Sequence, residues 1–110
     1  MYKYNAKLIR VIDGDTIDAL IDLGFDVWIK KRIRLYGINT PETRTRDLEE
    51  KKAGLAAEER LIALLWESGN EFVLESHGVG KYGRCLGVLF IGETNINTLL
   101  LSEGLAEEYK

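Results

Sequence analysis

The chain has 110 residues, 45% of them apolar, and carries 15 basic and 18 acidic side chains for a net charge of −3. A single cysteine, Cys85, excludes an internal disulfide framework and a four-cysteine zinc site. No apolar run approaches the roughly 18 residues of a membrane span, and the N-terminal residues lack the apolar core of a signal peptide. We therefore expect one domain over residues 1–110, soluble, cytoplasmic, monomeric and without a membrane partner, with a secreted precursor as the alternative.

The first third of the chain has the alternation of antiparallel strands. Three strands of a meander are predicted at residues 4–12, 15–23 and 26–36. The pair Asp13-Gly14 between the first two strands is a hairpin signal. The third strand has one apolar face, and its other face carries Lys30, Arg32 and Arg34.

The middle of the chain changes to helical spacing. Residues 43–52 are charged and aperiodic and predict a loop, whereas apolar residues recur at helical intervals from Leu55 to Trp66. Two short apolar strands, 72–74 and 86–91, follow and are joined by a glycine-rich turn.

A second helix is predicted near the C-terminal end. Thr94 or Asn95 can cap its start, and Gly104 marks its end. The resulting order is β-β-β-α-β-β-α. Five short strands with a helix between the third and the fourth predict a mainly β protein with helices, built as a small OB-type barrel.

Two carboxylates, Asp13 and Asp15, flank the first turn. For an isolated Asp-Gly-Asp, a turn made of good turn formers is the simpler interpretation. Asp15, however, shares the odd-numbered row of Ile17 and Ala19, so its side chain points to the apolar face. A carboxylate removed from water costs several kcal/mol unless it contacts a cation or hydrogen-bond donors. Asp15 therefore requires a partner.

The segment that follows the third strand offers such partners. Pro41 fixes its own φ and disfavours a helical Thr40, so this segment is stiff and extended. Oxygen atoms from Asp15, Asn39 and a backbone carbonyl would suit a hard cation such as Ca²⁺, whereas zinc prefers His or Cys. Taken alone, Glu42 is an ordinary exposed charge.

A basic turn, Lys81-Tyr82-Gly83-Arg84, precedes the fifth strand. By itself it is an ordinary hairpin. Together with Arg34 it supplies a second guanidinium, and two such forks can hold a phosphodiester from both sides.

These motifs together resemble the staphylococcal nuclease (thermonuclease) family. The matching segments are Val11-Ile12-Asp13-Gly14-Asp15-Thr16, residues 34–42, residues 81–84 and Gly104-Leu105-Ala106. They occur in the order of that family and at close to its spacings. The resemblance implies an OB-fold barrel and a Ca²⁺-dependent endonuclease that hydrolyses DNA or RNA, single-stranded or frayed, and leaves 3′-phosphates.

The resemblance also implies a role for each matching residue. The implied metal ligands are the side chains of Asp15 and Asn39 and the backbone carbonyl of Thr40. The implied catalytic residues are Glu42, as the general base for water, and Arg34 and Arg84, as stabilisers of the phosphate transition state. The implied substrate contacts are Lys81, Tyr82 and Tyr109, and Asp13 would support the site without touching the metal. A well-known family member has aspartate in place of Asn39, so weaker Ca²⁺ binding is expected here.

Parts of this pattern also occur in proteins with two other functions. A catalytically weak or inactive OB-fold module that binds single-stranded nucleic acid stays open as the alternative, although Arg34, Glu42 and Arg84 are all present. An aspartyl-phosphate phosphotransferase of the haloacid dehalogenase type is set aside, because 110 residues in this strand order do not provide its doubly wound sheet.

The acidic net charge conceals an asymmetry along the chain. Residues 1–46 have a net charge of +3, and residues 47–110 have −6. Six of the 15 basic residues lie between residues 30 and 46. We therefore expect a local grip on a few phosphates rather than the coating of a long strand.

Overall fold

The computed structural model describes residues 2–109, which form eight strands and two helices. The elements are β1 (Lys3–Asp13), β2 (Thr16–Asp22), β3 (Trp28–Leu35), β4 (Ile38–Asn39), α1 (Leu48–Glu67), β5 (Glu71–Val79), β6 (Cys85–Ile91), β7 (Thr94–Asn95), α2 (Ile96–Ser102) and β8 (Glu107–Glu108). The five long strands and the two helices follow the predicted order. Neither helix is long and apolar enough to cross a membrane within these residues.

The five long strands close into a barrel. The main sheet runs β3-β2-β1-β5-β6-β7, and a parallel pairing of β3 with β6 joins its two sides. That pairing sets Ile33 opposite Cys85 and Leu35 opposite Gly87. The barrel with its two helices confirms the predicted mainly β, OB-type fold.

The barrel interior is filled by the alternating apolar residues of the strands. Ile17, Ala19, Ile33 and Leu35 are completely buried, as the period of two predicts. Helix α1 adds Leu61 and Leu65 to the same core. The predicted inward row does not continue to the hairpin tip. There Leu23, Val27 and Ile29 are 45, 51 and 37% exposed, because the β2–β3 hairpin extends past the core.

Helix α1 begins at Leu48, so the predicted loop over residues 43–52 is wrong in its second half. The Asp47 carboxylate caps the helix by accepting hydrogen bonds from the backbone N–H groups of Glu49 and Glu50, at 3.0 and 3.2 Å. Acidic residues in the first turn also complement the helix dipole. Apolar periodicity starts later because the first turns pack few side chains against the core.

The chain end returns to the site region. Strand β8 pairs with β4, setting Ile38 opposite Glu108 and Asn39 opposite Glu107. The backbone N–H of Tyr109 then donates to the carbonyl of Gly37 at 2.9 Å. These contacts place Tyr109 beside the end of β3.

An ion-pair group crosses the outer face of β1, β2 and β3. Asp18 on β2 is 3% exposed. It accepts a hydrogen bond from Nε of Arg10 at 3.0 Å and two from Nε and Nη2 of Arg32, at 2.8 and 3.2 Å. The bond from Arg32, opposed by burial and reinforced by Arg10, lowers the pKa of Asp18 from 3.8 to about 2.

This lowered pKa predicts a specific loss of stability in acid. Because the pKa of Asp18 is lower in the folded chain, its stabilising effect is present above about pH 3.8 and is lost as the pH falls towards 2. We expect Asp18→Asn to lower the free energy of unfolding by about 1 kcal/mol at pH 6, since the exposed guanidinium groups are screened by water. Urea unfolding at pH 6 and pH 2 should show this difference shrinking in acid. A difference that is equal at both pH values would contradict the assignment.

Candidate active site

One cleft of about 780 Å³ brings together most of the residues singled out in the sequence. It lies between the β1–β2 turn, the end of β3 and the β5–β6 turn. Among its lining residues are Asp13, Asp15, Arg34, Asn39, Glu42, Lys81, Tyr82, Arg84 and Tyr109. Thr40 is buried, and it lines a neighbouring cleft of about 330 Å³ together with Asn39 and Glu42. All the predicted site residues therefore lie in one region.

Asp15 has the partners that its inward position requires. Its carboxylate is buried and accepts hydrogen bonds from the backbone N–H of Thr40 and from Oγ1 of Thr16, both at 3.0 Å. Nη2 of Arg34 lies 3.5 Å from Oδ2 of Asp15. The expectation from the alternation of β2 is thus confirmed, and Asp15 links the β1–β2 turn to the segment after β4.

Arg34 is fixed by the backbone around it. Its Nη1 donates to the carbonyls of Leu35 and Ile38, at 2.9 and 2.8 Å, and its Nη2 donates to Oδ1 of Asn39 at 3.0 Å. The ring of Tyr109 lies 5.5 Å from the guanidinium carbon. Because the chain itself holds the guanidinium in place, little conformational freedom is lost when an anion binds to it.

Two side-chain oxygen atoms converge on the Arg34 guanidinium. Oδ2 of Asp15, in the β1–β2 turn, and Oδ1 of Asn39, on β4, lie 3.5 and 3.0 Å from the same guanidinium nitrogen. Oγ1 of Thr40 is buried and lacks a hydrogen-bond partner within the part of the chain described. Residues 2–109 contain no group of three or more His, Cys, Asp or Glu that could hold a metal. The two side-chain oxygens at this point include a single carboxylate, and in this structure both face the Arg34 guanidinium.

Glu42 is placed by close contact between its backbone and helix α1. Its N–H donates to Oε2 of Glu50 at 3.2 Å. A Cβ on Gly54 would lie 2.6 Å from the carbonyl oxygen of Pro41 and 2.8 Å from that of Glu42. Only glycine allows this approach. The Glu42 side chain remains exposed and lines both clefts.

Gly54 was not recognised as important from the sequence, although a glycine inside a helix costs about 1 kcal/mol and so invites an explanation. We expect Gly54→Ala to lower the free energy of unfolding by about 1–3 kcal/mol and to reduce any activity that depends on Glu42. The clash is with backbone, which side-chain rotation cannot relieve. The measurements are urea unfolding and the cleavage rate.

Ala53→Gly is the matched control for this prediction, because Ala53 is exposed on the same helix. It should cost about 1 kcal/mol of helix propensity without affecting cleavage. Equal cleavage rates for wild type and Gly54→Ala would show that this close contact does not position Glu42.

The β5–β6 turn carries the second arginine. The N–H of Gly80 donates to the carbonyl of Arg84 at 2.8 Å, and Gly83 takes a positive φ of 74°. The Arg84 guanidinium lies 5.6 Å from the centre of the Tyr82 ring, which is 82% exposed. Since β6 runs alongside the end of β3, this turn places Arg84 in the same cleft as Arg34.

Asp13 joins two segments of the chain beside the cleft. Asp13 accepts a hydrogen bond from Oγ1 of Thr43 at 2.8 Å, which ties the β1–β2 turn to the segment before α1. Burial, followed by the charge of Asp13, raises the pKa of Glu58 on α1.

Asn97 on α2 joins the strands behind the cleft and was missed in the sequence. Its Nδ2 donates to the carbonyls of Tyr36 and Gly87, at 2.9 and 3.1 Å, and its Oδ1 accepts from the N–H of Leu89 at 3.2 Å. In the sequence, Asn97 is a polar residue next to Ile96 in a mainly apolar helix. In the structure it is buried.

The fold and this cleft define an OB-type barrel with an arginine- and carboxylate-lined site at one end. Comparison with known proteins narrows that class. Residues 32–110 match the family model described as staphylococcal nuclease homologue. The chain therefore belongs to the staphylococcal nuclease family.

Individual relatives agree with the family model. The chain is 37% identical over 98 residues to thermonuclease of Staphylococcus intermedius, covering 88% of this chain and 55% of that protein. It is 31% identical over 116 residues to micrococcal nuclease of Shigella flexneri, covering 97% of this chain and 59% of the relative. Thermonuclease of Staphylococcus hyicus is 31% identical over 100 residues, with 91% and 56% covered. The chain thus spans somewhat more than half the length of these relatives.

Proposed function

We propose that the protein is an endonuclease that hydrolyses phosphodiester bonds in single-stranded or frayed DNA or RNA. The observation that carries this proposal is the meeting of Arg34, Arg84 and Glu42 in one cleft with the oxygen donors of Asp15 and Asn39. The names of the relatives, thermonuclease and micrococcal nuclease, support the same activity.

The two arginines are proposed to offset the negative charge of the phosphodiester. A phosphodiester is a poor electrophile because its negative charge repels nucleophiles, and further charge develops as the fifth bond to phosphorus forms. Arg34, fixed by backbone carbonyls, and Arg84, on the opposing turn, can each donate to the phosphate oxygens. Backbone carbonyls hold Arg34 before a substrate binds, so its stabilisation of the transition state would require little rearrangement, whereas within residues 2–109 the Arg84 guanidinium contacts only the Tyr82 ring.

Glu42 is proposed to supply the base. Its exposed carboxylate lines the cleft next to the two arginines. It takes a proton from a water molecule as the water oxygen bonds to phosphorus. The bond from phosphorus to the 5′-oxygen breaks, and that oxygen takes a proton from solvent water and leaves as a hydroxyl. The products are a 3′-phosphate on one fragment and a 5′-hydroxyl on the other.

Ca²⁺ is the cation proposed for this site, held by the side chains of Asp15 and Asn39 and the carbonyl of Thr40. When bound, it supplies positive charge that neutralises the phosphate. Lys81 and Tyr82 on the β5–β6 turn, together with Tyr109, are proposed to contact the neighbouring phosphate and nucleotide. Tyr82 and Tyr109 are 82 and 62% exposed and can stack on bases. Asp13 is proposed to support the β1–β2 turn through its bond to Thr43.

The neutral side chain of Asn39 is expected to weaken cation binding relative to a carboxylate at the same position. We expect Asn39→Asp to tighten Ca²⁺ binding by about tenfold in calorimetric titration, because a carboxylate replaces a neutral amide oxygen. Asn5→Asp adds the same charge at an exposed position of β1 outside the cleft and should have little effect. Equal affinities for Asn39→Asp and wild type would show that Asn39 is not a ligand.

A cleavage assay separates a nuclease from a nucleic-acid-binding module of the same fold. Single-stranded DNA and RNA are incubated with Ca²⁺ and with a chelator, and products are resolved by length. The proposal predicts Ca²⁺-dependent shortening of the strands. Salt-sensitive binding without cleavage in any divalent cation would contradict the proposal and favour a binding module.

A further inference from the structure

The outer face of β1–β3 carries a second arginine pair beside the cleft. Strand pairing sets Arg10 opposite Asp18 and Asp18 opposite Arg32. Two residues further along, on the same face, Thr16 lies opposite Arg34. Arg32 and Arg34 are two residues apart on β3 and therefore share a face, about 6.6 Å apart along the strand. This distance is comparable with that between successive phosphates of an extended strand.

The pair has more positive charge than Asp18 neutralises. Asp18 engages Nε of Arg10 and Nε and Nη2 of Arg32. Within residues 2–109, both Nη groups of Arg10 and Nη1 of Arg32 have no hydrogen-bond acceptor. The two side chains are 61 and 46% exposed, so these donors can be reached from solvent. One arginine is enough to neutralise the Asp18 carboxylate. With two arginines bound to it, the group has a net charge of +1.

A groove that adjoins the cleft reaches Arg32 but not Arg10. It is lined by Arg32, Tyr82, Gly83 and Arg84. Tyr82 and Arg84 also line the cleft. Because the groove and the cleft share Tyr82 and Arg84, a strand whose phosphate lies between Arg34 and Arg84 can continue past Tyr82 to Arg32.

We propose that Arg10 and Arg32, oriented by Asp18, form a binding subsite for a backbone phosphate of the polynucleotide next to the one being cleaved. This inference rests on the proposed function for the position of the cleaved phosphate. Guanidinium groups donate in a planar fork that matches phosphate oxygens, and Asp18 restricts both forks before the strand binds. The subsite favours strands of several nucleotides over dinucleotides. It adds affinity without reading base sequence.

The test compares affinity for two probes, ten-residue oligothymidylate and the dinucleotide TpT, by calorimetry in the presence of a chelator. We expect Arg10→Met and Arg32→Met each to weaken binding of the ten-residue strand by about fivefold and to reduce the salt slope by about 0.7. Binding of TpT should change by less than about twofold. Arg10→Met leaves Asp18 paired with Arg32, so this variant retains a partner for the buried carboxylate.

Lys31→Met is the matched control. It removes one positive charge from an exposed position of β3 on the face opposite to Arg32. If Lys31→Met weakens binding of the long strand as much as the two arginine variants, the subsite is disproved. The subsite is also disproved if wild type binds both probes equally. Loss of long-strand affinity in the arginine variants of a protein that cleaves nothing would support the subsite and overturn the proposed catalysis.

Discussion

Glu42→Gln is expected to lower kcat for oligonucleotide cleavage by about 10²–10⁴-fold. Glutamine has nearly the same shape but cannot accept a proton from water at neutral pH. The backbone contacts of residue 42 with Gly54 and Glu50 do not involve its carboxylate, so the fold should be unchanged. Binding of an oligonucleotide in chelator should stay within about twofold of wild type, because Glu42 is proposed to act on water rather than on the strand.

Glu50→Gln provides the control for this variant. Glu50 lies next to Glu42 and lines the smaller cleft, and a glutamine oxygen can still accept the N–H of residue 42. We expect its kcat to fall by less than about threefold. A Glu50→Gln defect as large as that of Glu42→Gln, or full activity of Glu42→Gln, would remove Glu42 from the role of base.

Arg84→Met is expected to lower kcat/KM by about 10²–10³-fold, the effect of removing one donor from a developing anion. Arg84 is the better test of the two arginines because Arg34 also holds the backbone of β4. Within residues 2–109, the Arg84 guanidinium makes no hydrogen bond or ion pair, and its contact is with the face of the Tyr82 ring. Its removal should therefore leave the free energy of unfolding nearly unchanged, as urea unfolding can check.

Two substitutions separate geometry from charge at this position. Arg84→Lys keeps the charge but loses the planar fork, and we expect it to recover less than about a tenth of the lost rate. Lys81→Met removes a charge from the same turn and should weaken binding several-fold, mainly at low salt. If Arg84→Met and Lys81→Met have the same small effect, Arg84 contributes only to general attraction.

The barrel could be predicted because the alternation of apolar and polar residues in each strand indicates which side chains face the core. In β2, Ile17 and Ala19 alternate with polar residues, and that pattern alone places Asp15 inside. The partners of Asp15 follow in part from chemistry, since a buried carboxylate must meet a donor. The start of α1 escaped prediction because a cap at Asp47, rather than an apolar repeat, begins that helix.

The parts of the site that depend on contacts between distant segments could not be read from the sequence. Gly54 matters because the backbone of residues 41 and 42 lies against it. The carbonyls that fix Arg34 belong to Leu35 at the end of β3 and Ile38 in β4, and β4 pairs with the distant strand β8. The net charge of −3 does not indicate whether the protein binds nucleic acid. The arginines that face the cleft and the groove are gathered on β3 and the β5–β6 turn.

The most direct test of the proposed chemistry follows the oxygen atom of the attacking water. A single-stranded DNA oligonucleotide is cleaved by wild-type protein with Ca²⁺ in ¹⁸O-enriched water, and the fragments are analysed by mass spectrometry. The account predicts one ¹⁸O atom in a new 3′-phosphate and an unlabelled 5′-hydroxyl on the other fragment. Label in a 5′-phosphate, or an intact oligonucleotide, would contradict water attack assisted by Glu42 between Arg34 and Arg84.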